Sequence, residues 1–318
     1  MIKIILNEKV YNYFIRWRQY YCMKDMEQFK EYFFGDFNNS NIKLIIPENK
    51  DNEDNEDKEE YNIKIFDIQD IKEEEYNNNK INMMLCVENC AKWKHYEHYN
   101  KYKDYGNKNI QIYFYNHKIR IEETEDRITI PMIYIRMEYY NRNNNKIIIK
   151  NNKEFEERKD CLITTKLNNL DKKKINTRLK KVINIDSIEN YKERIGNKSC
   201  YNSEELIELY NEYKFVILCE NSITDGYITE KIFNGLFART IPIYYGTKTV
   251  NNFINRDSII YIENVDDLEN VKKEILELKN NKEKYNEKLN KSKINPDYNN
   301  ENYKERLINF INKKLNKH

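Results

Sequence analysis

The stretch from Phe215 to Gly246, FVILCENSITDGYITEKIFNGLFARTIPIYYG, restricts the fold more than any other part of the chain. Phe215 to Cys219 is wholly apolar and rich in branched and aromatic residues, the composition of a strand covered on both faces in a parallel sheet. Glu220, Asn221 and Ser222 follow at its C-terminal edge. A loop containing Gly226 leads to Thr229, a candidate N-cap, and Ile232, Phe233, Leu236 and Phe237 then recur at helical spacing. Ile241 to Tyr245 reads as a second buried strand, closing the unit at Gly246. A strand, a helix and a parallel strand form a βαβ unit, and such sheets take their ligands beyond the C-terminal strand ends.

Lys231 is placed unusually within that unit. A cation in the first helical turn opposes the positive end of the helix dipole, at about 0.3–1 kcal/mol. A bound anion at the helix N-terminus reverses that sign. The plainer alternative is that Lys231 turns to solvent while Glu230 complements the dipole.

ENSITDGYITEKIFNGLFARTIPIYYG resembles the donor-binding signature of the glycosyltransferase family 10 fucosyltransferases. There an E-N-[ST] turn, a Tyr-x-Thr-Glu-Lys segment and a Pro-x-x-x-Gly strand follow one another at this spacing. Phe253, Ser258, a strand from Ile259 to Ile262, an acidic turn, a helix and Tyr285 continue the likeness. Asp266 is expected to cap that helix.

The 318 residues suffice for two α/β domains, each with its own core. Net charge is +2, with Lys+Arg 55 against Asp+Glu 53, so no global field favours nucleic acid. The six cysteines show no C-x-x-C pair or zinc spacing and read as reduced thiols of an intracellular protein. His95 and His98 lack a third ligand nearby and are not expected to bind metal. The N-terminal apolar run is too short for a signal peptide or anchor, and no segment reaches transmembrane length, which reads as cytoplasmic.

In the N-terminal half, strands are expected at Ile2 to Leu6, Ile42 to Ile46, Ile63 to Phe66, Ile81 to Val87 and Ile110 to Tyr115, with a helical region over Tyr11 to Phe34. KDNEDNEDKEE, from Lys50 to Glu60, reads as a solvated insertion. Glu88 ends the fourth strand. On its own it reads as a solvated strand-end carboxylate. Bacterial members of the family have a strand ending Gly-Glu-Asn here, followed by an Asp-Tyr pair and by Asp-Arg-x-x-x-x-Pro-x-x-Tyr. Glu88-Asn89, Asp104-Tyr105, Asp126-Arg127, Pro131 and Tyr134 match that order, with Val87 in place of the Gly. The resemblance thereby makes Glu88 the general base; Glu97 and Asp104 are the carboxylates next in line.

NRNNNKIIIKNNK, from Asn141 to Lys153, is polar and turn-prone and suggests a linker, so an acceptor-binding domain is expected over 1–150 and a donor-binding domain over 151–318. The second would open with a strand at Cys161 to Thr165 and a helix from Thr177. Family members carry an Arg on that helix against the donor pyrophosphate. Arg178 is the best match by spacing, with Lys180 or Lys181 as alternatives and Arg194 a weaker one. The last helix, over 303–315, is basic and amphipathic. It either packs back on the N-terminal domain or gives the chain its one means of membrane contact.

The resemblance implies a GT-B type α/β fold, with two Rossmann-like domains facing across a cleft. It implies inverting transfer of fucose from GDP-fucose, needing no further cofactor, to an acceptor glycan, at O3 of N-acetylglucosamine. Metal independence fits the absence of any Asp-x-Asp from the sequence. Asn221 and Tyr227 would position the diphosphate and sugar, Glu230 the ribose hydroxyls, and Arg178 and Lys231 would hold the pyrophosphate. The alternatives are another GDP-sugar donor, or a non-catalytic glycan- or nucleotide-binding relic.

Overall fold

The computed structural model describes residues 2–6, 42–45, 63–67, 81–86, 109–113, 125, 127–130, 132–143, 149–195, 203–298 and 303–315. Within them the chain divides into two compact units, Met1–Ile135 with Glu301–His318, and Arg136–Asn300.

Among the described residues the first unit holds six strands: β1 (Ile2–Leu6), β2 (Ile42–Ile45), β3 (Ile63–Asp67), β4 (Ile81–Cys86), β5 (Asn109–Tyr113) and β6 (Arg127–Thr129). They form one sheet in the order β2-β1-β3-β4-β5-β6, every pair parallel. The expected strands are all present, each within two residues of its expected ends. The Tyr11 to Phe34 region, the acidic insertion, and His95, His98 and Asp104 lie outside the described residues.

Helix α1 (Met132–Asn143) leaves β6 and carries the chain into the second unit. There the strands are β7 (Lys159–Ile163), β8 (Ile185–Ser187), β9 (Tyr213–Cys219), β10 (Ile241–Tyr245) and β11 (Ile260–Tyr261). They are again all parallel, in the order β11-β10-β9-β7-β8. Helices α2 (Leu170–Leu179), α3 (Lys192–Ile195), α4 (Ser203–Asn211), α5 (Glu230–Phe237), α6 (Glu269–Asn280) and α7 (Lys282–Asn290) connect or follow these strands. Helix α8 (Tyr303–Leu315) returns to the first unit, where Arg306 donates to the Thr129 carbonyl at 3.0 Å.

Contacts divide the chain before the 150/151 linker, inside α1. The reason is packing: Tyr140 sets its ring 6.1 Å from Phe233 and 4.8 Å from Phe237, so the C-terminal half of α1 is tied to α5.

Pleat alternation explains the layers of the second sheet, since successive side chains point to opposite faces. Phe215, Ile217 and Cys219 of β9 and Ile241 and Ile243 of β10 bury against Ile175 and Leu179 of α2, Val271, Ile275 and Leu278 of α6, and Tyr285 of α7. Val216 and Leu218 of β9 and Pro242 and Tyr244 of β10 face the other way, toward α5. There Gly235 lets the helix come close: a Cβ on it would lie 2.9 Å from Leu218 Cδ1 and 3.2 Å from Pro242 Cγ.

Two sequence expectations need correction. Helix α2 begins at Leu170 and not at Thr177, because its buried stripe is Lys172, Ile175, Asn176 and Leu179; half of it is polar, so apolar periodicity does not report it. Asp266 does not cap α6. Leu268 holds the N-cap position, and Asp266 instead accepts from Lys174 Nζ at 2.8 Å.

Candidate functional site

In the second sheet the chain steps from β7 outward to β8, then returns to β9 on the opposite side of β7. The crevice beyond the C-terminal ends of β7 and β9 is therefore a topological switch point, where open α/β sheets bind ligands. Residues following β9 and ending β10 reach this edge, and the pleat divides them between two helices.

Glu220 continues the face of Val216 and Leu218 and so turns toward α5. It is 2% exposed, and its carboxylate accepts four hydrogen bonds. Oε1 takes the Thr229 amide at 2.8 Å and the Tyr244 hydroxyl at 3.2 Å; Oε2 takes the Thr229 hydroxyl at 2.7 Å and Lys231 Nζ at 3.0 Å. Thr229 occupies the expected N-cap position but makes no side-chain cap bond, its hydroxyl being directed to Glu220. Lys231 Nζ also donates to the Thr229 hydroxyl at 3.0 Å. Burial alone would lower the Lys231 ammonium, yet the carboxylates of Glu220 and Glu230 hold it above the usual lysine range. Burial and the neighbouring carboxylate push the Tyr244 phenol well up. Gly246 makes room for this tyrosine, since a Cβ there would overlap the Tyr244 hydroxyl.

The cation at the head of α5 thus has an internal counter-ion that the sequence reading lacked. Lys231 neither turns to solvent nor waits bare for an anion: its side chain is 20% exposed and paired with a carboxylate that is wholly buried.

Asn221 and Tyr245 point to the opposite face, toward the start of α2. Tyr245 donates to Asp171 Oδ2 at 2.8 Å, and Lys172 Nζ donates to Asn221 Oδ1 at 3.4 Å. Lys172 is 2% exposed and sits in the first turn of α2, behind the N-cap Asn169, whose side chain accepts from the Lys172 amide at 2.9 Å. Lys172 thus sets a buried ammonium in the first turn of α2, beside the switch-point crevice. Sequence reasoning missed it because the helix was expected to start at Thr177. The signal available was Asn169, a good N-cap, ahead of DKKK.

The structure brings four of the expected donor residues to this edge. Lys231 and Glu230 open α5, Asn221 follows β9, and Tyr227 is buried with its amide donating to the Thr224 carbonyl at 2.9 Å. Arg178 is not among them. It lies six residues beyond Lys172, about 9 Å farther along the helix, where it donates to the Asp266 carbonyl and stands 3.7 Å from that carboxylate. Lys180 and Lys181 are exposed, and Arg194 pairs with Glu212. Glu88 follows the end of β4 and lies outside the described residues. Among the described residues no group of three or more His, Cys, Asp or Glu is arranged to hold a metal ion.

A doubly wound parallel sheet with lysines at two helix starts beside its switch point is a Rossmann-like arrangement, the kind whose switch-point crevice takes ligands. The chain is similar in fold to a solved α1,3-fucosyltransferase with GDP-fucose, with a TM-score of 0.57 and 15% identity, covering 99% of this chain and 90% of that one. Its fold is therefore of the GT-B class. Residues 155–309 match the model of glycosyltransferase family 10 (fucosyltransferase) C-term, the family that the motif from Glu220 to Gly246 resembles. It is 38% identical over 116 residues to a fucosyltransferase assigned in Acanthamoeba polyphaga mimivirus, covering 36% of this chain and 19% of the relative. It is also 38% identical over 76 residues to the α-(1,3)-fucosyltransferase FucT of Helicobacter pylori, covering 24% of this chain and 15% of the relative. These matches span less than a fifth of each relative's length. No described helix is long and apolar enough to cross a membrane.

Proposed function

We propose that this chain transfers fucose from GDP-fucose to a hydroxyl of an acceptor glycan, at O3 of N-acetylglucosamine, with inversion and without a metal ion. The observation that carries the reading is the pair of half-buried to buried lysines, Lys231 and Lys172, at the starts of the helices flanking the C-terminal ends of β9 and β7. A departing GDP gathers negative charge on its diphosphate. Preorganised ammonium groups and helix N-termini stabilise that charge without reorganising during the reaction. Lys172 takes the part that the sequence assigned to Arg178. Glu230 binds the ribose hydroxyls, while Asn221 and Tyr227 orient diphosphate and sugar. Glu88 removes the proton from the attacking hydroxyl, the part a carboxylate plays in inverting sugar chemistry.

A cytoplasmic setting is part of the same proposal. Cys161 and Cys219 are free, buried thiols of the kind a reducing compartment keeps.

The test is a panel of GDP-sugars offered with glycan acceptors bearing free N-acetylglucosamine hydroxyls. Consumption of GDP-fucose with a fucosylated product is expected, unaffected by a chelator. Glu88→Gln should lower turnover about 10²–10⁴-fold while leaving GDP affinity intact. Consumption of a different GDP-sugar in preference would overturn the donor assignment. GDP binding with no transfer from any donor would establish the relic reading instead.

A further inference from the structure

Helix α1 contacts the donor site with a residue that neither the motif resemblance nor the strand edges bring into view. From Arg136 onward α1 belongs to the second unit, and it lies along α5 through a regular stripe. Tyr140 packs on Phe233 and Phe237, and one turn earlier Arg136 brings its guanidinium 3.6 Å from Glu230 Oε2. Residues 230, 233 and 237 fall on one face of α5, as 136 and 140 do on α1. The aromatic contact therefore fixes the height at which Arg136 meets the first turn of α5. The Arg136 side chain is 8% exposed, that of Glu230 33%, so the carboxylate keeps an open side while its inner side meets the guanidinium.

We propose that Arg136 is a positioning residue for the donor: it holds Glu230 ionised and aimed so that its open oxygen accepts from the ribose hydroxyls of the GDP-sugar. This rests on the reading of Glu230 given above. A carboxylate accepts two vicinal hydroxyls well only when ionised and fixed in orientation. Burial would raise the Glu230 carboxyl, but Lys231 and then Arg136 hold it below the usual glutamate range, with help from its own backbone and the Thr229 hydroxyl. The groups facing it among the described residues are thus Lys231 and Thr229 at the head of α5 and Arg136 from α1. Lys231 is shared with Glu220, whereas Arg136 comes to Glu230 from a second helix at a height that the Tyr140 contact fixes. Arg136 is therefore the cation placed to set the orientation of Glu230 in particular.

The test uses the full chain and compares Arg136→Met, Arg136→Lys, Glu230→Gln and the Arg136→Met/Glu230→Gln double variant in steady-state transfer from GDP-fucose across pH. Arg136→Met should raise the donor KM roughly 3- to 10-fold with kcat within about twofold, the pattern of lost ground-state binding. The sign with pH follows from the depressed carboxyl: donor affinity is lost as pH falls through the Glu230 value, and removing a cation raises that value. The Glu230 component of the acid limb of the kcat/KM profile, which adds to that of the general base Glu88, should accordingly move to higher pH in Arg136→Met, return toward the wild-type position in Arg136→Lys, and vanish in both Glu230→Gln variants. Within the Glu230→Gln background, Arg136→Met should change the donor KM no further. An unmoved acid limb, or an equal KM increase in both backgrounds, would overturn the proposal and leave Arg136 a packing residue. GDP calorimetry on the wild type separates the two levels: if GDP binds and Arg136→Met behaves as wild type, the inference fails alone. If the wild type binds no GDP, the functional reading fails first. Should Arg136→Met not fold, Arg136→Gln, which removes the charge but keeps a polar side chain, carries the same decision through its acid limb and KM.

Discussion

Removing the ammonium of Lys231 should destabilise the protein as well as weaken its donor site, and the size of the effect follows from Glu220. Glu220 has no exposed side-chain area, so in Lys231→Met the carboxylate loses its cation without gaining water. Breaking a buried ion pair from one side costs about 3–5 kcal/mol when the orphaned charge has no other partner. Here the Thr229 amide, the Thr229 hydroxyl and the Tyr244 hydroxyl still donate to it. A lower figure follows, near that of one charge-assisted hydrogen bond, about 2–3 kcal/mol. For a unit of this size that corresponds to a fall of about 4–12 °C in Tm. Glu220→Gln placed in the Lys231→Met background removes the charge that needed the cation, and should restore about 1–2 kcal/mol of the loss. The assay is chemical denaturation of wild type, both single variants and the double, read as a thermodynamic cycle. Additivity within about 0.5 kcal/mol would refute the reasoning, since it would mean that the buried carboxylate does not depend on Lys231.

Lys172→Ala should weaken GDP binding by about 1.5–3 kcal/mol, while Arg178→Ala should leave it within about 0.5 kcal/mol; titration calorimetry on both variants decides which residue holds the pyrophosphate. Gly246→Ala should displace the Tyr244 ring from Glu220 and lower stability by about 1–3 kcal/mol, the usual range for overpacking, measured by denaturant midpoint. Lys293 is pulled down to about 8 by burial, with Lys288 and Arg239 adding to the effect. A lysine depressed in the folded state is protonated in the unfolded chain across the window from there to its ordinary value, so this group makes stability rise with pH in that range. Lys293→Met should therefore be more stable than the wild type at pH 7, and the difference should shrink toward pH 10. A pH-independent difference in Tm would count against it.

Much of the site was legible in the sequence because it is local. The run from Phe215 to Gly246 carries its strand, loop, helix start and second strand within one supersecondary unit, and Glu230, Lys231, Asn221 and Tyr227 fall where that unit put them. Arg178 fell elsewhere for an equally local reason. The helix containing it buries a lysine and an asparagine among its apolar residues, so a search for apolar spacing found only its end.

The sequence by itself determined the strands of both units other than the short β6 and β8, the βαβ unit with its polar C-terminal edge, and the amphipathic tail helix. These depend on periodicity and on turn residues a few positions apart. Tertiary structure alone decided what each edge residue meets. The pleat dictates that Glu220 and Asn221 point to opposite faces, but not that α5 covers one and α2 the other, nor that Lys231 and Lys172 come to those faces. The same holds for Arg136, which reaches Glu230 only because Tyr140 docks on Phe233 and Phe237. Those pairings form between elements distant along the chain, and they are fixed by which buried faces fit together, a property of the packed structure that no single segment contains.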